Sequence, residues 1–272
     1  MRRGLAAFIV LLASSPAWAI FTNGGFESNS FTGWTQTVGT NLGLLGVTPF
    51  TSASLNIGPP GGHTFDGQVV GVVTDPQAPT LTLPRAGTLT GRVGSTTVGG
   101  FTDSIAQQDV ITNADRDILD SKLHVRFSYA AVLQDSGHAD NQRPFFFVRL
   151  RNITKATTLY EDFTYEQQPG KTFLSGPPGW RYTNFSNVDI VVADADLGDT
   201  LEIQALASDC QPTGHAGYVY LDGFGSSVVG PGGPGVVDVP TLSEWALILL
   251  ALAIGAMTLY LQRRGSTPPG FR

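Results

Sequence analysis

Five side chains of metal-ligand type lie in or near two Gly-His turns, namely Asp135, His138, Asp209, Cys210 and His215. Imidazole nitrogen, thiolate sulfur and carboxylate oxygen are the ligands that zinc takes in proteins. Two such turns can converge in a folded chain, but the spacing matches no zinc signature, since a CxxC or HExxH element is missing. The pattern therefore favours side-chain hydrogen bonds that stabilise the turns over a transition-metal site.

Catalytic motifs are absent from the sequence. It contains no Gly-x-Ser-x-Gly elbow, no phosphate-binding loop, and no Ser, His and Asp order beyond what four histidines give by chance. Paired carboxylates for glycoside hydrolysis leave no local signature, so that chemistry stays open as an alternative. We predict that the protein is not an enzyme.

Aromatic side chains offer a second kind of chemistry, because the C–H faces of sugars stack on Trp and Tyr rings in binding loops. The candidates for ligand stacking are Trp180, Tyr182 and Tyr165. Trp180 follows a Gly-Pro-Pro-Gly loop, and for this ring stacking and core packing both remain open. For Trp34 the sequence favours core packing.

The elements that position these side chains are predicted to be strands. The 272 residues include 33 Gly and 17 Pro, and only 14% are charged, which is typical of a turn-rich all-β protein. The clearest strand covers residues 123–133, where apolar side chains alternate with His124, Arg126 and Ser128. One face of this strand is predicted to lie in the core and the other to be partly solvated near its start.

Six further strands are predicted between Gly, Pro and Asn turns, at residues 80–83, 88–93, 145–151, 188–193, 200–207 and 218–224. Residues 39–62 are assigned to loops, and residues 107–122 to a short helix or a loop. Strands at this spacing without intervening helices indicate an antiparallel, jelly-roll-like β-sandwich over residues 20–228. Residues 229–238 form a Gly/Pro linker.

The net charge limits the classes of partner, and the cysteine content limits the cross-links that the chain can form. The net charge is −6 without a basic patch, which excludes a nucleic-acid partner and an anionic lipid surface for the domain. Cys210 is the single cysteine, so no internal disulfide can form, and we predict that it packs as a buried small side chain.

The N-terminal residues 1–19 have the three zones of a secretory signal peptide. Arg2 and Arg3 precede an apolar run, and Ala17 and Ala19 provide the small residues of a signal peptidase site after Ala19. The apolar run is too short for a transmembrane helix, which needs about 20 residues. We therefore predict export across the inner membrane.

The C-terminal segment combines a short motif, an apolar run and a basic end. The motif is Val239, Pro240, Thr241, Leu242, Ser243, Glu244 and Trp245; the uncharged residues 246–261 follow, and then Arg263 and Arg264. This predicts a single transmembrane helix within residues 239–264, with Arg263 and Arg264 as the cytoplasmic stop and residues 265–272 as the cytoplasmic tail.

The same segment resembles the IPTL-CTERM sorting signal of Gram-negative bacteria, with Val239 where that family usually has Ile. The resemblance implies a membrane-embedded protease of the exosortase type as a partner. It would cut near the motif and pass the domain toward the cell surface, so that the protein is membrane-anchored only before processing.

The mature start, Asn23-Gly24-Gly25-Phe26-Glu27 with Gly33-Trp34, is similar to the opening of galactose-binding-like jelly rolls, which include many carbohydrate-binding modules. Residues 218–224 fit their closing strand, and in those folds the first and last strands lie together. The resemblance implies a structural calcium held by Glu27 and Asp222 with backbone carbonyls. The alternative is that both are ordinary strand-end residues bonded to backbone or solvent.

Residues 133–138, 143–145, 180–185 and 209–222 are together similar to β-sandwich modules of bacterial surface and adhesin-like proteins. We therefore predict an exported, surface-sorted, non-catalytic protein that binds extracellular polysaccharide or acts in adhesion and the biofilm matrix. The alternatives are a structural envelope protein without a ligand and a secreted glycoside hydrolase.

Overall fold

The computed structural model describes residues 20–225 and Ile254, an exposed residue within a helix. The chain divides into two compact units, residues 1–235 and 236–272. Among the described residues, no helix has the length and apolar character needed to cross a membrane. The predicted signal peptide, linker, sorting motif and tail lie outside the described residues, as does the predicted transmembrane helix apart from Ile254.

Residues 20–225 form strands from the Thr-, Val- and Phe-rich segments between Gly and Pro turns. In chain order the strands are β1 (Thr35–Asn41), β2 (Ile57–Gly58), β3 (Gln68–Val70), β4 (Val73–Asp75), β5 (Ala78–Leu83), β6 (Thr90–Val93), β7 (Phe101–Val110), β8 (Leu123–Gln134), β9 (Phe145–Asn152), β10 (Thr157–Tyr165), β11 (Leu174–Ser175), β12 (Trp180–Tyr182), β13 (Ser186–Val192), β14 (Thr200–Ser208) and β15 (Gly217–Gly225). Short 3₁₀ turns cover Ser52–Ser54, Asn113–Asp115, Asp140–Gln142 and Asp194–Asp196.

Two antiparallel sheets make up the architecture. A six-stranded sheet has the order β10-β9-β14-β7-β1-β2, and a seven-stranded sheet has the order β11-β12-β8-β15-β6-β3, with β13 also paired to β8. Strands β4 and β5 form a separate pair. The predicted all-β, antiparallel, jelly-roll-like sandwich is confirmed.

The core lies where the inward faces of both sheets meet. Ile105 and Phe146 come from the six-stranded sheet, and Phe127 and Leu221 from the seven-stranded sheet, and all four are at most 1% exposed. Burying side chains of this size stabilises the fold by roughly 1.5–3 kcal/mol each. The sandwich therefore holds without a disulfide.

Strand β8 departs from the expectation for its second face. His124 and Arg126, predicted to be partly solvated, are 5% and 7% exposed. Arg126 forms ion pairs with Asp117 at 2.7 Å and with Asp189 at 2.8 Å. That prediction is wrong because the segment before β8 and strand β13 cover this face and supply carboxylates to its basic side chains.

Residues 107–122 also differ from the predicted helix or loop. The first four residues complete β7, and Asn113–Asp115 forms a 3₁₀ turn. The buried Asp115 accepts a hydrogen bond at 2.7 Å from the backbone N–H of Ile20. This hydrogen bond fixes the backbone of Ile20, the first residue of the described range 20–225, against residues 107–122.

The opening segment packs against the closing strand, as the jelly-roll resemblance implies. The Phe224 N–H donates to the Gly24 carbonyl at 3.0 Å, and the ring centroids of Trp34 and Phe224 are 5.0 Å apart. Trp34 is 6% exposed, which confirms its predicted core packing. The opening residues are turns rather than a strand, and β1 pairs with β7 and β2 instead.

Candidate functional site

The open edge of the sandwich between β10 and β13 contains a cleft that Tyr129 of β8 lines. Two adjoining cavities of about 240 and 500 Å³ share Tyr129, Asp162, Lys171 and Ser186. We call this region the edge cleft. It is formed where an edge strand of one sheet approaches β13 of the other.

Asp162 is the hydrogen-bonding centre of the edge cleft. One carboxylate oxygen accepts from Lys171 Nζ at 2.6 Å, and the other accepts from the Tyr129 hydroxyl at 2.5 Å. Burial, with the negative charge of Asp162, raises the pKa of Tyr129 far above its usual range, so this hydroxyl stays protonated and donates. The Tyr160 hydroxyl lies 2.6 Å from the Tyr129 oxygen and donates to it. Asp162 is therefore held as a fixed carboxylate between a cation and a tyrosine pair.

The rim of the edge cleft adds apolar and amide groups. Phe185 is half-buried and Asn184 is exposed, and both also line a third cavity of about 400 Å³ that continues past Thr80 and Arg85. The half-buried ring of Tyr160 lies on the opposite strand. Aromatic faces beside a carboxylate, an amide and an ammonium group are the combination that binds polar ligands with apolar faces.

The predicted stacking residues do not line the edge cleft. Tyr165 and Tyr182 are each 2% exposed, and the hydroxyl of Tyr182 lies 2.6 Å from that of Thr80. The prediction that these two rings stack on a ligand is wrong, because neither presents a free face. Trp180 is half-buried, and its ring centroid lies 5.8 Å from that of Tyr218.

Asp222, one of the two predicted calcium ligands, is fully buried. Its Oδ2 accepts the backbone N–H groups of Arg85 and Ala86 at 2.9 Å, whereas its Oδ1 has no hydrogen-bond partner. Burial raises the pKa of Asp222 to about 7, against the opposing effect of backbone N–H donors, and the charge of Glu27 adds to the rise. A buried, unpartnered carboxylate oxygen is a group that a cation can satisfy.

Glu27, the second predicted calcium ligand, is exposed and held by the turn before β6. Its Oε1 accepts the N–H groups of Thr88 and Leu89 at 2.8 and 3.2 Å. The two carboxylates are close enough for Glu27 to affect the pKa of Asp222. Their oxygens fit the hard ligands that calcium takes, at about 2.3–2.6 Å. When bound, the ion would supply positive charge between them.

The two Gly-His turns converge at one end of the sandwich. His138 lies in the β8–β9 loop, and Cys210 and His215 lie in the β14–β15 loop. The ligand atoms of these three residues all lie within 4.8 Å of one another. The sequence supplied the residue types, but nothing in their spacing indicated that the turns meet.

The Cys210 side chain is fully buried, as predicted. Its Sγ accepts the backbone N–H groups of Gly214 and His215 at 3.2 Å and lies 3.5 Å from His215 Nδ1. These contacts include the turn-stabilising hydrogen bonds that the sequence favoured. Burial, with the nearby His138, lowers the pKa of His215, so its imidazole is neutral at pH 7.

The other two residues of metal-ligand type have separate roles. Asp135 pairs with Arg181 at 3.1 Å. Asp209 is 3% exposed and accepts the N–H groups of Phe101 and Gly217 at 3.1 and 3.3 Å. Its carboxylate thus joins β7 to β15 as a structural group.

The IPTL-CTERM motif model matches residues 239–264, which confirms the resemblance of this segment. No curated protein matches the chain. Among solved structures, the chain is similar to TmCBM61 in complex with β-1,4-galactotriose, at 10% identity over 76% of this chain and 97% of that chain, with a TM-score of 0.40.

Two further solved structures are similar. One is CBM27-1 of Caldicellulosiruptor saccharolyticus in complex with mannohexaose, at 9% identity over 75% of this chain and 93% of that chain, with a TM-score of 0.36. The other is the K1 cleaved adhesin domain of Lys-gingipain from Porphyromonas gingivalis W83, at 12% identity over 69% of this chain and 95% of that chain, with a TM-score of 0.27.

Proposed function

We propose that this chain is an exported, surface-sorted, non-catalytic protein whose edge cleft binds extracellular polysaccharide and so contributes to adhesion or to the biofilm matrix. The observation that carries the proposal is the fixed carboxylate of Asp162, which lies between Lys171 and the tyrosine pair in an open cleft.

The chemistry of the edge cleft suits sugar hydroxyls. The Asp162 oxygen that accepts the Tyr129 hydroxyl can accept one further hydroxyl hydrogen. An ammonium or amide group donates to hydroxyl oxygens, and these polar groups fix the orientation of the ligand. The rings of Tyr160 and Phe185 can cover the apolar C–H faces of successive sugars. Because Phe185 lines cavities on both of its sides, a chain of several sugars fits better than a single one.

Sorting to the surface is the second part of the proposal, and the IPTL-CTERM match supports it. We propose that signal peptidase cuts after Ala19 and that the 239–264 segment holds the precursor in the inner membrane until an exosortase-type protease releases the domain.

Mass spectrometry of the cell-surface fraction tests this processing. The expected result is a mature chain that lacks the residues beyond Leu242, while cells without the membrane protease accumulate the full C-terminus in the membrane fraction. Surface chains that retain Arg263 and Arg264 would contradict cleavage.

Binding is tested with a glycan array, followed by calorimetry on the polysaccharides that bind. Phe185→Ala removes a ring from the cleft rim, so we expect affinity to fall at least tenfold, equivalent to about 1.4 kcal/mol. Asp162→Asn keeps the shape of the side chain but removes the anionic acceptor, and we expect a loss of similar size.

Trp180→Ala is the matched control, because it removes a half-buried aromatic ring outside the edge cleft. It should leave the affinity within about twofold. If Trp180→Ala weakens binding and Phe185→Ala does not, the ligand lies on the Trp180 surface and the edge cleft is the wrong site. Absence of binding to any sugar would favour a structural envelope protein, and shortened sugar products would favour a hydrolase.

A further inference from the structure

We propose that His138, Cys210 and His215 form a three-ligand site for a borderline-soft transition-metal ion, with Zn²⁺ as the reference ion, and that a fourth coordination position stays open to solvent. Two imidazoles and one thiolate are ligands that Zn²⁺ accepts, and three protein ligands with an open position are a known zinc arrangement. None of the three residues lines the edge cleft. The inference is therefore independent of polysaccharide binding.

The spacing of two ligand atoms fits tetrahedral coordination. With a Zn–S distance of about 2.3 Å and a Zn–N distance of about 2.0 Å, tetrahedral geometry places sulfur and nitrogen about 3.5 Å apart. Cys210 Sγ and His215 Nδ1 are 3.5 Å apart. These two atoms can share an ion without rearrangement of the β14–β15 loop.

His138 completes the set after a small movement. Its ligand atom lies within 4.8 Å of the other two, so its imidazole must approach by at most about 1.5 Å to reach tetrahedral spacing. The side chain is half-buried and follows Gly137, whose φ is +61°. A half-exposed imidazole on a turn can rotate, and it leaves solvent a route to the ion.

Backbone groups fix the direction of the Cys210 sulfur. Two backbone N–H groups donate to Sγ, from Gly214 and His215. Such donors hold a ligating sulfur in one orientation, as the outer hydrogen bonds of metal sites do. On metal binding the thiol releases its proton to solvent and the sulfur forms the metal bond.

Backbone and side-chain contacts hold the two loops together. The Gln211 N–H donates to the Gln142 carbonyl at 2.9 Å, and the two side-chain amides are bonded at 3.2 Å. The pairing of Gly217 with Leu133 places the start of β15 beside the end of β8. The ligands are thus brought together before an ion binds, which lowers the entropic cost of binding.

The test uses full-length protein, purified in detergent and stripped with a chelator. Calorimetric titration with Zn²⁺ should give one ion per chain with micromolar or tighter affinity. Titration with Co²⁺ should give a thiolate-to-cobalt charge-transfer absorption, which reports Cys210 without ambiguity because it is the only cysteine.

We expect Cys210→Ser to remove that absorption and to weaken Zn²⁺ binding at least 100-fold. His138→Gln should weaken it at least tenfold, and because this side chain is half-buried on a loop, the variant should keep the melting temperature of the metal-free protein. The matched control is His124→Gln, which changes a histidine bonded to Asp189 outside the site and should bind Zn²⁺ as wild type does.

Several results would overturn the metal site. They are absence of stoichiometric Zn²⁺ binding at micromolar concentrations, a cobalt complex without thiolate absorption, and equal Zn²⁺ affinity in wild type and Cys210→Ser. A loss in His124→Gln as large as that in His138→Gln would place the ion elsewhere.

Discussion

Replacing Gly24 by alanine is expected to lower the free energy of unfolding by at least about 3 kcal/mol, because the new methyl group meets the backbone of the closing strand. A Cβ at this position would lie 1.8 Å from the Phe224 carbonyl oxygen and 2.7 Å from its carbonyl carbon. Both are main-chain atoms of β15, which cannot rotate away as a side chain would. Urea unfolding followed by tryptophan fluorescence measures the loss.

Gly25→Ala is the matched control. The same added methyl group would find its nearest neighbour, Glu27 Cγ, at 3.6 Å, which is an ordinary contact. We expect this variant to unfold within about 0.5 kcal/mol of wild type. Equal unfolding midpoints for the two variants would show that the opening segment does not rest on β15 in solution.

The sequence predicts a strand where apolar side chains recur at every second position, because that alternation reflects which face of the strand is buried. Strand β8 has apolar side chains at every second position, and the predicted 123–133 differs from the observed Leu123–Gln134 by one residue. Strand β7 was missed, because Asp103, Ser104 and Gln107 make it read as polar. These side chains are buried in the folded protein, where β7 lies between β1 and β14. Hydrogen bonds such as the one from His63 to Asp103 satisfy their polar groups. Only the assembled sheet supplies those partners.

The candidate sites were less predictable, because strand register brings their residues together. Asp162 in β10 and Phe185 between β12 and β13 line the same cavity, and no periodicity in the sequence links these two positions. His138 reaches Cys210 and His215 because β8 pairs with β15. The sequence showed residues able to bind a metal or a sugar, but aromatic type alone gave no sign that Tyr165 and Tyr182 face the interior.

Asp222→Asn should make the calcium-free protein more stable near neutral pH. The raised pKa means that the folded state binds a proton more tightly than the unfolded state, where the carboxyl titrates near 3.8. The contribution of Asp222 to stability is therefore fully present below about pH 4 and is lost as pH rises to about 7. A shift from 3.8 to about 7 corresponds to roughly 4 kcal/mol. The amide avoids this loss, and its oxygen can still accept the N–H groups of Arg85 and Ala86.

Urea unfolding of wild type and Asp222→Asn from pH 4 to pH 8, in the presence of a chelator, gives the difference in their free energies of unfolding. Burial also raises the pKa of Asp209 to about 7, but Asp209 is present in both proteins and its effect cancels in that difference. A constant difference across that range would show that the Asp222 carboxyl is not desolvated.

Added calcium should reverse the order of stability at pH 7 if Glu27 and Asp222 hold the ion. The cation would replace the proton at the unpartnered Oδ1 of Asp222, so wild type should melt at a higher temperature with calcium. Asp222→Asn and Glu27→Gln should show no such rise, because each removes one anionic ligand. Since Glu27 is exposed, Glu27→Gln separates loss of the ion from damage to the core. If calcium raises the melting temperature of wild type and both variants equally, the ion binds elsewhere and Asp222 is a buried strand-end carboxyl.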